Sequence, residues 1–406
     1  MKTYDALVIG AGPAGSTAAL MLARAGWAVS IVEKTRFPRR KVCGEFVSAT
    51  SLPLLRKLGL EKAYLEQAGP PVRQVGVYSG KTRMAVDMPC PQDGTDLYGR
   101  ALGREHLDAL ILNAADAAGA ELWQPWKLTE LIQVEDGFMG TAVADDTGER
   151  TSLAARIVIA AHGSWEQGAL PTLPARAAPQ ISDLFAFKAH FRDCGLPAGL
   201  MPLLAFPGGY GGMVHSDGGR TSLSCCIRRD FLASCRHDYP EAKAAEAVIA
   251  HVRAACEGVD EALAGATLDA KCLSVGPIRP GIRAFRHDGI FTVGNAAGEA
   301  HPIVAEGISM AMQSSWLLCQ RLVAHRNGIL RGRGTAALAE DYADSWRRNF
   351  SQRVHVAALF AHIATRPAAA QLAVSLLKRA PALLGLGARL SGKAQPLGTF
   401  YRSDLG

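Results

Sequence analysis

The chain has 406 residues, 49% of them apolar, and its 44 Lys and Arg outweigh 37 Asp and Glu to give a formal charge of +7. That length and apolar fraction imply about two domains or one large interleaved unit, and they exclude a disordered chain and a coiled coil. From Arg353 onward seven basic residues face one acid, so the tail carries +6 and residues 1–352 only +1, which argues against a nucleic-acid-coating surface.

The start of the chain runs straight into a strand with no signal-peptide pattern, and the nine cysteines, an odd number, show no Cys-x-x-Cys pair or His-spaced cluster. Neither a zinc site nor a disulfide framework is expected, and a cytoplasmic location follows. Two uncharged windows, 6–23 and 194–216, approach spanning length, but Gly and Pro interrupt both and neither is read as transmembrane.

The apolar run Ala6-Leu7-Val8-Ile9 leads into Gly10-Ala11-Gly12-Pro13-Ala14-Gly15, a helix over 16–25, and a second apolar run over 28–32 ending at Glu33, 18 residues after Gly15. Strand, glycine turn, helix, strand and acid at this spacing describe a dinucleotide-binding unit. Gly10 permits the tight turn, Gly12 lets the backbone approach a pyrophosphate, and Gly15 lets helix and strand pack closely. The helix start offers free N–H groups to phosphate. Glu33 is placed to accept hydrogen bonds from ribose hydroxyls and disfavours a 2′-phosphate.

After Gly69-Pro70-Pro71 the pattern predicts strands over 72–87 and 97–103, a helix over 104–118, and strands over 131–143 and 156–161 that end at His162-Gly163. Residues 184–228 read as strands around the turn Pro207-Gly208-Gly209-Tyr210-Gly211-Gly212, and 240–257 as a polar-faced helix. The buried strand Ile290-Phe291-Thr292-Val293 feeds Gly294-Asn295-Ala296-Ala297-Gly298, and an apolar helix covers 308–324. A Gly/Pro-rich turn opening such a helix aims unpaired N–H groups and a positive dipole at its neighbour.

Four segments accompany the first glycine turn: Arg39-Arg40-Lys41-Val42-Cys43-Gly44-Glu45, Arg104-Glu105-His106-Leu107-Asp108, Phe206-Pro207-Gly208-Gly209-Tyr210, and Gly294-Asn295-Ala296-Ala297-Gly298 through Pro302 to Glu306-Gly307-Ile308. Together they resemble the FAD-dependent oxidoreductases of the para-hydroxybenzoate hydroxylase fold, and within them the geranylgeranyl-reductase-like branch, whose Lys-x-Cys-Gly signature matches Lys41 to Gly44. The resemblance implies an α/β fold in which a Rossmann-like FAD-binding domain (1–70, 95–180 and 275–330) interleaves with a β-sheet-rich substrate domain (71–94 and 181–274), followed by a C-terminal helical region (331–406). It implies FAD as cofactor, held by Gly10, Gly12, Ala14, Gly15, Glu33, Lys34, Arg40, Lys41, Arg104, Gly163, Gly294, Asn295, Pro302, Gly307 and Ile308. Three positions depart from the pattern. Asn295 stands where an aspartate is usual, His162 where Ala-Asp-Gly is usual in the monooxygenases, and Ala305 where a glycine is common before Glu306.

The activity implied is that of an FAD-dependent oxidoreductase acting on a lipophilic intermediate, isoprenoid, polyketide or acyl-derived, by hydride transfer from flavin N5 to a carbon–carbon double bond. Hydroxylation through a flavin C4a-hydroperoxide is the alternative, and a non-catalytic lipid-binding escort of the same fold is a second. A halogenase is disfavoured because Trp-x-Trp-x-Ile-Pro is absent. Candidate active groups are Cys43, favoured as thiolate by its basic triplet or else a small buried apolar residue; Glu45, as a proton donor, a surface acid or a partner of Lys41; and His301, facing the substrate or capping a helix. Tyr210 is a candidate for the pocket wall or a packing anchor, and Arg39, Arg40 and Lys41 are placed for FAD phosphates or substrate. With one dinucleotide turn only, NAD(P)H is expected to dock transiently, or electrons to come from a donor protein. The apolar and basic tail suits either an interfacial helix on anionic lipid or a cap on the core.

Overall fold

A computed structural model describes residues 2–89, 98–163, 170–173, 178–283, 285 and 288–393. Its first sheet has seven strands in the order Glu121–Trp123, Val29–Val32, Lys2–Ile9, Arg150–Ala160, Gly137–Ala144 and Trp126–Val134, with Ile290–Thr292 added beside Arg150–Ala160. Lys2–Ile9 runs parallel to both neighbours, and residues 6–9 are buried on both faces, which explains why they read as an unbroken apolar run. Ala6 and Val8 face the helical core, while Leu7 and Ile9 pack with Leu128, Phe138 and Ala142.

Three helices cover this sheet: α1 (Pro13–Arg24), α2 (Arg104–Ala117) and α3 (Gly307–Ala324). Helix α1 begins earlier than expected because Pro13 is tolerated in the first turn, where its missing N–H costs nothing. Small residues let α1 and α3 approach closely, and the Ser315 hydroxyl donates to the Ala14 carbonyl at 2.8 Å.

The second sheet has eight strands, ordered Thr267–Leu268, Leu184–Arg192, Thr221–Arg228, Gly209–His215, Leu200–Phe206, Gln74–Ser79 and Thr82–Asp87, with Leu273–Ile278 also pairing with Leu184–Arg192. The domain boundary expected after residue 274 therefore falls inside a strand, since the pairing of Leu273 to Lys188 and Val275 to Ala186 holds that segment in the second sheet. One face packs on the helix Ala244–Ala255. On the other, alternate residues such as Leu203, Tyr210, Val214 and Cys226 line a cavity between the sheets.

Beyond α3 the chain forms α4 (Thr335–Ala364), α5 (Pro367–Arg379) and α6 (Ala382–Ala388). The tail charge divides between inside and outside. Arg353 and Lys393 are 7% and 6% exposed, whereas Arg366, Lys378, Arg379 and Arg389 are exposed. Leu97 and Arg402, both part of the sequence expectations, lie outside the described residues. Among the described residues no helix is long and apolar enough to cross a membrane.

Candidate active site

Two hollows meet at the first glycine turn. One, of about 330 Å³, is lined by Gly10, Gly12, Glu33, Lys34, Arg39, Arg40 and Lys41. The other, of about 200 Å³, runs between the two sheets past Cys43, Glu45, Arg104, Gly163, Gly294, Asn295, Pro302, Gly307 and Ile308. Gly12, Lys41 and Ala161 line both, so the hollows form one elongated cleft.

The first hollow fits the adenosine end of a dinucleotide. Gly10 has φ +100°, and a Cβ there would stand 2.8 Å from the Ala161 carbonyl oxygen. A Cβ on Gly15 would stand 1.9 Å from the Gly10 oxygen, so both positions exclude a side chain. Glu33 accepts from the Ala11 and Thr35 backbone N–H groups, each at 2.9 Å. Burial alone would raise its pKa, but Arg39, whose guanidinium lies 3.8 Å away, and these hydrogen bonds bring it below the usual carboxylate range. Among the described residues the buried Nε atoms of Arg39 and Arg40 meet no acceptor, as donors waiting for an anion would. Lys41 bridges the hollows. Burial, with Arg104 and Arg39 close by, lowers its ammonium to about 8.

In the second hollow Arg104 is held by a two-pronged pair with Asp108, at 2.6 and 2.7 Å, the carboxylate arriving one helical turn later. Arg104 also lies against the Cys43 thiol. Cys43 is half-buried; its Sγ receives the Glu45 N–H at 3.4 Å, and its carbonyl receives the Ser224 hydroxyl at 2.9 Å. Gly294 has φ +59°, where a Cβ would meet the Ala14 methyl at 2.8 Å. Asn295 donates its amide N–H to Glu299 at 3.0 Å, which leaves its oxygen as the acceptor; Glu299, also on the cavity wall, returns a carboxylate four residues beyond the missing aspartate. Ala305 takes the left-handed conformation at φ +51° that glycine favours, so the loop before α3 keeps that shape at some strain.

Glu45 is fully buried at φ +64°, and its partner is not Lys41. One oxygen is paired with Lys188 and the other receives the His190 Nε2 hydrogen at 2.8 Å. Arg40 has only donors, so at 3.1 Å the His190 Nδ1 must accept, which fixes the tautomer. Burial alone would raise the Glu45 pKa, but His190 and Lys188 bring it well below the usual carboxylate range. The expected proton-donor role is corrected on that ground: the group is a carboxylate and has no proton to give.

His301 is not among the residues lining the cavity; its Nδ1 lies 3.2 Å from the Tyr210 hydroxyl. Burial lowers the imidazole to about 4, so it is neutral near pH 7, and it makes no side-chain cap at the turn Pro302–Val304. Tyr210 is buried on the cavity wall, which unites the two roles expected for it.

Sequence reasoning missed Lys188 and His190. Their signal is a pair of polar residues two apart in a strand, Leu184–Arg192, that is otherwise apolar up to its last residue, a spacing that sends both to one face. It also missed that Glu306, at the start of α3, is fully buried between Lys393 at 2.9 Å and Arg353 at 3.9 Å, with Lys393 donating to the Val304 carbonyl as well.

The sequence pattern of a family described as FAD binding domain matches residues 3–358. Conditioned medium factor receptor 1 of Dictyostelium discoideum is 26% identical over 99% of this chain and 79% of its own. Menaquinone reductase of Mycolicibacterium smegmatis is 32% identical over 35% of this chain and 34% of its own. Digeranylgeranylglycerophospholipid reductase of Picrophilus torridus is 30% identical over 39% of each chain. Among solved structures, the flavin-dependent brominase Bmp2 superposes with a TM-score of 0.77 at 20% identity, covering 97% of this chain and 94% of that one. A geranylgeranyl bacteriochlorophyll reductase-like protein of Thermoplasma acidophilum superposes with a TM-score of 0.71 at 17% identity, covering 98% and 94%.

Proposed function

This chain belongs to the FAD binding domain family, and we propose that it reduces a carbon–carbon double bond in a lipophilic intermediate of isoprenoid, polyketide or acyl-derived class. That it is an FAD-dependent oxidoreductase follows from the family. The finer reading rests on the apolar wall of the second hollow, where Phe46, Met201, Leu203, Met213, Val214 and Ile278 face the space beside the flavin end. The relatives named as reductases of lipophilic molecules support it.

Reduced FAD, when bound, supplies two electrons and one hydrogen. Saturating a double bond also requires a proton at the neighbouring carbon. Glu45 is ionised and His301 stands behind the wall; of the hydrogen-bearing groups on the cavity, which include Lys41, Tyr210 and two further thiols, we assign that proton to the Cys43 thiol, which lies against Arg104. Glu33 and the α1 start would orient the adenosine and pyrophosphate, Lys41 and Arg40 would balance its charge, and the apolar wall excludes water. The reductant is a nicotinamide nucleotide that docks transiently or an electron-donor protein.

The test is anaerobic. Holoenzyme reduced with dithionite and mixed with an isoprenoid alkene should regain its yellow absorbance at a rate set by alkene concentration, and Cys43→Ala should slow that return. Absorbance that returns only with oxygen, with an oxygenated product, would overturn the reading.

A further inference from the structure

Six of the eleven large apolar side chains exposed among the described residues fall between positions 359 and 390: Leu359, Leu372, Leu376, Leu383, Leu386 and Leu390, with Leu372 74% exposed. They follow helical spacing. In α5, Leu372, Leu376 and Arg379 share the outer face, while Ala370 and Val374 are buried. Around α6, Leu383, Leu386 and Leu390 point outward while Leu384 and Ala388 point inward. Exposed Lys378, Arg379 and Arg389 border these leucines, and no Asp or Glu occurs anywhere from 345 to 403.

The inner face of the same hairpin packs behind a wall of the active site. Val374, Leu384 and Ala388 share one apolar cluster with Phe46, Met201 and Val214, and those three line the cavity.

We propose that the α5–α6 hairpin docks on an anionic lipid bilayer and so sets the cavity wall that it backs close to the membrane surface. Charge decides the occupant. A second copy meeting this face across a two-fold axis would bring the Lys378, Arg379 and Arg389 side chains of both copies into one interface, with no acid in the segment to pair with them. A bilayer bearing anionic headgroups takes both features at once, basic side chains at the headgroups and leucines at the acyl boundary. The docking rests on this surface alone and stands apart from the reaction proposed above.

The experiment is flotation of the full-length holoenzyme with vesicles of phosphatidylcholine alone or mixed with phosphatidylglycerol. The protein should float with the mixed vesicles, remain behind with phosphatidylcholine, and be released by salt. The variant Lys378→Gln/Arg379→Gln/Arg389→Gln should lower partitioning roughly 100-fold. Leu372→Ser/Leu376→Ser/Leu386→Ser should lower it on the order of tenfold or more, with the salt dependence kept. All six side chains are exposed, and unchanged flavin absorbance reports that each variant is folded. Wild-type protein that fails to float with phosphatidylglycerol, or variants that float as wild type does, would sink the proposal. A leucine variant that changes the mass in solution but not flotation would assign the face to a second copy instead.

Discussion

Glu45 carries two buried partners at once, and its removal exposes the difference between a structural and a catalytic carboxylate. Glu45→Gln leaves Lys188 charged in a dry site, so it should lower unfolding stability by about 3–5 kcal/mol in a denaturant titration; a proton-donor role would instead spare stability and remove turnover. The pairing was hidden because Lys188 lies 143 residues away, and a buried acid beside a basic triplet suggests the nearer lysine. Lys41 makes a second prediction. Its free-state pKa is near 8, and an anionic pyrophosphate would raise it, so FAD affinity of the apoprotein should be full below pH 8 and fall by about tenfold per pH unit above it. Fluorescence titration from neutral to alkaline pH measures this, and Lys41→Met should flatten the profile. Ala305 offers a third: with φ +51°, Ala305→Gly should stabilise the protein by up to about 1 kcal/mol in thermal melts.

The elements that hold the cofactor are written locally. The first strand, the glycine turn and α1 follow one another within 24 residues, and burial on both faces makes the strand continuously apolar. The same holds for Ile290–Thr292 and α3. By contrast, a charge count over the tail cannot distinguish the lysine that points into the molecule from those that point out. Lys393 reaches Glu306 across 87 residues, and only packing reveals it. Lys393→Met should therefore cost about 3 kcal/mol, since it deprives a buried carboxylate of its nearest cation. For the same reason deletion of 367–406 is a poor test of membrane contact: it removes Lys393 along with the leucines, and surface substitutions separate the two.

At the scale of the whole molecule, titration of buried groups sets the acid limit. The folded state holds His301 near 4 against an ordinary 6.5, so the unfolded chain takes up that proton first and stability should fall as pH drops through this window. Glu45, held well below the usual carboxylate range, adds a loss in the same direction at lower pH. Melting temperatures from pH 7 to pH 4 should show the decline, and His301→Gln should lessen its upper part. The first strand–turn–helix unit was legible from its glycine turn and apolar runs and the second, sheet-rich domain from the family resemblance, whereas the placement of Leu273–Ile278 was decided by pairing between distant strands. The buried ion pair of Lys393 with Glu306 also orders events in time. During synthesis the carboxylate at the head of α3 waits without its nearest cation until residue 393 has been added 87 residues later, so the last contact that settles this helix start is also one of the last to be made.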